Sequence, residues 1–252
     1  MRFGFSAATI AALVLGCGGA RYGPDVVPFT VKSRFVGQTL HELVVRPVPH
    51  RPLLVLLHGR GAGTESFLHQ RLEAALAALG PRAPTVLLVD GGGHSYFHDR
   101  GEGRWGSYVL REAIPAAVRR FQLDGRRVAI GGESMGGFGA FDLARFRRFC
   151  AVGGHSAALW RTGGETPEGA FDDAEDFARH DVLGAAKPGV YGAARIWIDV
   201  GISDPFRDAD VDLARRLGVR AHVWPGGHGR SYWRRHLPAY LRFYAAALAS
   251  CR

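Results

Sequence analysis

The sequence predicts an α/β domain whose mostly parallel central sheet is covered by helices on both faces. Three observations carry this. Apolar, β-branched runs alternate with segments of helical period from about residue 50 to the carboxyl end, the pattern of successive βαβ units. The runs at 53–57 and 85–89 are apolar without alternation, as strands buried on both faces must be. Glycine clusters close these strands, at His58-Gly59-Arg60-Gly61, Asp90-Gly91-Gly92-Gly93 and Gly131-Gly132-Glu133-Ser134.

In chain order, 26–32 and 39–48 read as strands of an opening meander, rich in β-branched residues. Strand 53–57 leads to a helix over 65–79, and strand 85–89 to a helix over 107–123 that Pro115 should kink. Strand 127–130 meets a helix reaching about residue 146, and another strand begins at 150–153. A polar, Gly-rich stretch over 162–189, with an acidic patch at 172–176, interrupts the pattern. It is a short insertion with little material for a large lid. Strand 194–200, helix 209–217, strand 220–224 and a last helix over 231–249 complete the domain.

The 252 residues, at 47% apolar and 22% charged, exclude a disordered chain, a collagen-like repeat or a small disulfide scaffold. Net charge is +9, and only Lys32 and Lys187 among the 32 basic residues are not arginine. The arginines are scattered, which argues for coding bias and against a nucleic acid partner. Arg2 followed by an apolar, acid-free stretch to Gly16 reads as an export signal, too short to span a bilayer. Leu13-Val14-Leu15-Gly16-Cys17 resembles a bacterial lipobox, in which Cys17 is lipidated and anchors the mature chain to a membrane. Ordinary signal cleavage near residues 18–20 is the other reading. The expected organisation is thus a signal over 1–17 and one domain over 18–252, exported to the periplasm, cell surface or medium. Cys150 and Cys251 could pair in an oxidising compartment, but spacing carries no connectivity information, and Cys150, between Phe149 and Ala151, reads first as a buried inert thiol.

Gly132-Glu133-Ser134-Met135-Gly136 fits G-x-S-x-G, a pattern that chance alone yields roughly 0.2 times in a chain of this composition. Its placement between an apolar strand and a helix gives it meaning. A sharp strand-to-helix turn admits only small neighbours and lifts the serine hydroxyl above the sheet edge. A base and an orienting acid should then follow, each on a loop after a later strand. Asp204, in Gly201-Ile202-Ser203-Asp204-Pro205-Phe206, is the loop acid, with Asp199 ranked second; Asp208 and Asp210 read as solvated or capping residues. His228, in Pro225-Gly226-Gly227-His228-Gly229, is the base, and His236 lies inside the last helix. The oxyanion is expected to face the backbone N–H of Met135 and that of Arg60, with Gly59 as alternative.

Two other readings are weaker. Gly59-Arg60-Gly61-Ala62-Gly63 lacks the third glycine of a dinucleotide loop, because residue 64 is Thr. His94, His98 and Asp99 share a loop without further ligands, so no metal and no cofactor are expected. The substrate cleft is expected at His58, Gly59, His94, Tyr96, Trp105 and His155.

These segments resemble the esterase D-like branch of the α/β-hydrolases, which includes S-formylglutathione hydrolases, feruloyl esterases and secreted mycolyltransferases. The match rests on Leu56-Leu57-His58-Gly59, Val89-Asp90-Gly91-Gly92, Trp105, Glu112-Ala113-Ile114-Pro115, the run 132–140, His155-Ser156-Ala157, Asp204-Pro205-Phe206 and Pro225-Gly226-Gly227-His228. Ala157 stands where the family often has Gly. The resemblance implies a serine carboxylesterase acting on a small or polymer-linked ester, and the amino-terminal signal implies that it is exported. An envelope acyltransferase using the same acyl-enzyme, or a non-catalytic envelope-binding protein on this scaffold, are the alternatives.

Overall fold

The computed structural model describes residues 22, 23 and 25–251, so the signal expectation, Cys17 included, lies outside the described residues. Strands β1 (Val26–Lys32) and β2 (Thr39–Val45) pair antiparallel, and β2 continues antiparallel onto β4 (Thr85–Val89). From there β3 (Pro52–Leu57), β7 (Asp124–Glu133), β8 (Ala151–His155), β9 (Arg195–Gly201) and β10 (Ala221–Trp224) add in parallel. The order is β1-β2-β4-β3-β7-β8-β9-β10, with β3 and β7 at the centre. A separate two-residue hairpin, β5 (Asp99–Arg100) with β6 (Gly103–Arg104), had no signature in the sequence.

The helices are α1 (Leu72–Leu79), α2 (Trp105–Tyr108), α3 (Ile114–Phe121), α4 (Met135–Leu143), α5 (Ala174–Arg179), α6 (Val182–Ala185), α7 (Arg207–Leu217) and α8 (Arg230–Ser250). Alternation along β3 sorts them into two layers. Leu53, Val55 and Leu57 face a core with Val109, Ile114, Phe141 and Leu213, whereas Leu54 and Leu56 face Leu72, Leu76, Leu237 and Leu241. The Tyr244 hydroxyl of α8 lies against Gly131 and Gly153, and a methyl group on either would overlap it. Glycine is needed there for close approach.

Where the structure departs from the sequence reading, backbone chemistry explains it. The helix expected over 65–79 is broken at Arg71, whose left-handed φ of 67° joins a 3-10 turn (Thr64–Gln70) to α1. The expected kink at Pro115 is a π turn (Val109–Ala113) between α2 and α3, because proline offers no N–H to the preceding turn. The insertion holds only a 3-10 turn, α5 and α6, so no large lid is present among the described residues. Cys150 is not an inert thiol. It is bonded to Cys251, with Cα atoms 5.5 Å apart, because α8 runs back along the sheet and brings its last turn to the start of β8.

Two buried carboxyls hold neighbouring layers together. Glu42 of β2 accepts from the Tyr108 hydroxyl and, at 2.9 Å, from the Asp90 N–H, while Glu133 of β7 accepts from Gln70 Nε2 at 2.9 Å. Burial pushes each up to about 8, so both carry a proton below neutral pH.

The bond between Cys150 and Cys251 closes a loop of 101 residues, and the chain-entropy model puts its stabilisation at about 2–5 kcal/mol. Thermal unfolding with reductant, or of Cys251→Ala, should therefore show Tm lower by roughly 5–15 °C; an unchanged Tm contradicts this. For Glu42 the unfolded chain releases its proton near the ordinary carboxyl value and the native state only near 8. Its contribution is thus fully present in acid and is lost as pH rises from about 4.5 to 8. Denaturant titrations across that window should show the Glu42→Gln variant with a shallower decline than the parent chain.

Candidate active site

Ser134 occupies the turn between β7 and α4 with φ 54° and ψ −116°, a conformation that L residues rarely adopt. The turn is over-determined by close packing. A Cβ on Gly132 would lie 2.6 Å from the Leu57 carbonyl oxygen, and one on Gly136 would overlap the same group. The Ser134 N–H donates to the His155 carbonyl at 3.2 Å, and its own carbonyl accepts from Ala158 at 3.0 Å and Phe138 at 3.1 Å. These bonds aim the hydroxyl away from the sheet.

His228 lies between β10 and α8, and its Nε2 is 2.8 Å from Ser134 Oγ. Its Nδ1 is 3.0 Å and 3.2 Å from the two oxygens of Asp204, on the loop after β9. Loop is bound to loop: Ile202 N–H donates to Trp224 O at 2.8 Å and Ser203 N–H to Gly226 O at 2.9 Å, which fixes the height of Asp204 relative to His228. Burial works against the Asp204 charge, but hydrogen bonds from His228 and the Phe206 N–H outweigh it and hold the carboxyl below its usual range. Phe206 and Trp233 pack on the His228 ring with centroids 5.1 Å and 5.2 Å away.

The expected oxyanion donors flank this chain. Met135 opens α4, where backbone N–H groups precede the intrahelical ladder. Gly59 abuts the nucleophile, since a Cβ there would lie 3.6 Å from Ser134 Cβ, so the loop carrying Arg60 borders the hydroxyl.

Several residues expected in the cleft lie elsewhere. His58 is buried, with Nδ1 on the Gly59 carbonyl at 2.9 Å and Nε2 accepting from Gly91 N–H at 3.1 Å; it ties two loops together instead of facing substrate. Tyr96 and Trp105 are buried too. Tyr96 packs among Phe138, Trp160 and Phe171, and Trp105 against Gly92 and Gly103. His94 alone of these is half-exposed, 3.7 Å from Glu102. His98 points away from it, into a buried chain with Asp176 (3.1 Å), so the two do not converge on an ion. Among the described residues no group of three acidic, histidine or cysteine side chains is arranged to hold a metal. A cavity of about 180 Å³ borders His98, Asp142 and His180, and Ser134 is not on its wall.

His155 is likewise buried, and its partner is Asp199, the acid ranked second. The Asp199 carboxylate accepts from His155 Nδ1 and Trp197 Nε1, each at 2.7 Å, and from the hydroxyls of Tyr232 (2.9 Å) and Tyr240 (2.7 Å). Burial, then the Asp199 charge, pushes both tyrosines up, keeping them protonated donors. Sequence reading missed this hub because its tyrosines sit more than 30 residues away. Nor is Asp210 solvated: it is buried on α7, and burial with the neighbouring carboxylates of Asp204 and Asp199 pushes its carboxyl well up.

The arrangement suits transfer of an acyl group to and from a serine. Comparison with solved structures gives the same architecture at low identity. A ferulic acid esterase superposes with TM-score 0.75 at 20% identity, covering 88% of this chain and 97% of its own. An S-formylglutathione hydrolase from Agrobacterium tumefaciens gives 0.73 at 18%, covering 88% and 95%. The Staphylococcus aureus fluorophosphonate-binding serine hydrolase F gives 0.69 at 18%, covering 87% and 98%. No curated protein sequence matches the chain. The family model described as "Putative esterase" matches residues 46–244, and the chain belongs to that esterase family of the α/β-hydrolase fold.

Proposed function

We propose that the chain is an exported serine carboxylesterase that hydrolyses its ester through an acyl-enzyme on Ser134. The observation that carries this is the unbroken hydrogen-bonded chain from Ser134 Oγ through His228 to Asp204. His228 Nε2 takes the hydroxyl proton as Oγ bonds to the ester carbonyl carbon. The carbonyl oxygen becomes an oxyanion held by the N–H groups of Met135 and Arg60, each contributing on the order of 3 kcal/mol in the transition state. Collapse expels the alcohol, which leaves with the proton from His228. Water, deprotonated by the same imidazole, then attacks the acyl carbon, and the acid departs as Oγ regains its proton. Asp204 keeps the imidazole oriented with Nδ1–H toward it and offsets the charge on the ring.

Export is supported by the disulfide between Cys150 and Cys251, a bond typical of oxidising compartments. Such a compartment disfavours a glutathione thioester and favours an oxygen ester. The insertion holds only a 3-10 turn and two short helices, too little for a large lid, which favours an ester with a bulky alcohol portion such as a polymer-linked group.

Turnover of short p-nitrophenyl esters should fall by about 10⁴-fold or more in Ser134→Ala with the thermal transition preserved; normal turnover by pure variant protein refutes the assignment. A fluorophosphonate probe should label the parent chain at Ser134 and leave the variant unmarked. The two acids should separate cleanly. Asp204→Asn is expected to lose about 10³–10⁴-fold in kcat at nearly unchanged stability, whereas Asp199→Asn should lower Tm while its folded fraction keeps most of its activity.

A further inference from the structure

One face of the molecule carries charge that ester hydrolysis does not use. Between α1 and the first half of α8 runs an open groove of about 610 Å³, floored by Ala74, Ala75, Ala78 and Pro238. Arg71, Arg234 and Arg235 line it, all exposed and none ion-paired with a described residue; Arg119, Arg120 and Arg126 on other elements are also without an ion pair, so what sets this face apart is the convergence of three arginines on one groove. The groove lining contains no carboxylate. Acids close by are engaged elsewhere: Glu65 accepts the Tyr22 hydroxyl at 2.8 Å, the Glu73 carboxylate lies against Gly23, and buried Glu133 accepts from the groove-lining Gln70 at 2.9 Å.

Those same contacts supply a second, independent observation. The chain enters the fold at Tyr22 and Gly23, on the 3-10 turn and α1, beside Arg71. Cys17 precedes Tyr22 by five residues, which span at most about 18 Å when extended. Were Cys17 lipidated, its lipid would hold the bilayer close to the face that bears these arginines.

We propose that the α1/α8 face is this chain's docking surface for an anionic phospholipid bilayer, with Arg71, Arg234 and Arg235 engaging the headgroup phosphates. Planar guanidinium groups suit phosphate oxygens, and an anionic leaflet attracts basic clusters held near it. Arg230 begins α8 only two residues after His228, so the docking face and the His228 loop are joined through one helix. The orientation rests on lipidation at Cys17, while the charge argument stands without it.

The chain from Gly18 keeps every described element and carries no lipid, so it tests the face alone. It should co-sediment with phosphatidylcholine vesicles containing 30% phosphatidylglycerol, not with pure phosphatidylcholine, and should be released by 0.5 M salt. Arg71→Gln/Arg234→Gln/Arg235→Gln should weaken that association on the order of 100-fold, with turnover of a soluble p-nitrophenyl ester unchanged. Arg119→Gln/Arg120→Gln/Arg126→Gln, equal in charge but on other elements, should bind as the parent does. Equal losses in both variants, or binding indifferent to lipid charge, overturn the proposal, as does vesicle-independent dimerisation lost only in the first variant, which makes the face an interface between copies. Lipidation is read separately from the mass of the mature amino terminus. Vesicle binding without lipid on Cys17 keeps the docking face and removes the anchor, and loss of Ser134 activity leaves both readouts intact.

Discussion

The strained backbone at Ser134 is the constraint on which the site depends. A left-handed residue at the strand-to-helix junction persists only because β3 and α4 close on it, with Gly132 and Gly136 leaving no space between themselves and the Leu57 carbonyl. Central, doubly buried strands are what make this rigid. β3 and β7 pair from Leu53 to Leu57, and both faces of β3 are packed by helices, so the turn cannot relax outward without opening the core. Strain that would cost about 1–3 kcal/mol in isolation is absorbed by that packing.

Behind the other half of the site lies a buried hydrogen-bonded hub. Asp199 lies out of water, and four donors from β8, β9 and α8 answer it. A carboxyl so placed is tolerable only when fully hydrogen-bonded, and the geometry that satisfies it also seats α8. The helix starts directly after the His228 loop, Tyr232 packs against Gly226 within that loop, and Trp233 covers the imidazole. His155 and Asp199 thus act at a distance on His228, while Asp204 touches it. Asp210 fits the same electrostatic pattern, since burial and the neighbouring Asp204 and Asp199 carboxylates push its carboxyl up.

Stability and site geometry are linked through α8 as well. Its amino end positions the catalytic loop, its flank forms the arginine groove, and its last residue is tied to β8 by the disulfide. One helix, the longest among the described residues, therefore borders the site, the arginine groove and the disulfide.

Much of this was legible in the residues themselves. Unbroken apolar runs over Leu53–Leu57 and Thr85–Val89 dictate parallel central strands, because only a sheet covered on both sides buries them. Glycines around Ser134 dictate a tight turn, and loop acids and histidines after later strands follow from topology, so Ser134, Asp204 and His228 were accessible by order alone. What tertiary structure decided involves contacts between residues far apart in sequence. Nothing local distinguishes a cleft histidine from one whose ring is consumed by Gly59 and Gly91, as at His58, or by Asp199 and Tyr244, as at His155. Nor does spacing reveal that Cys150 meets Cys251 or that Asp210 is buried. The sequence determined the fold and the order of its reactive groups, since hydrophobic period and glycine placement are local properties. Which polar side chains face substrate and which hold the frame was decided only by folding, because burial and partnership depend on neighbours that the chain brings together in space.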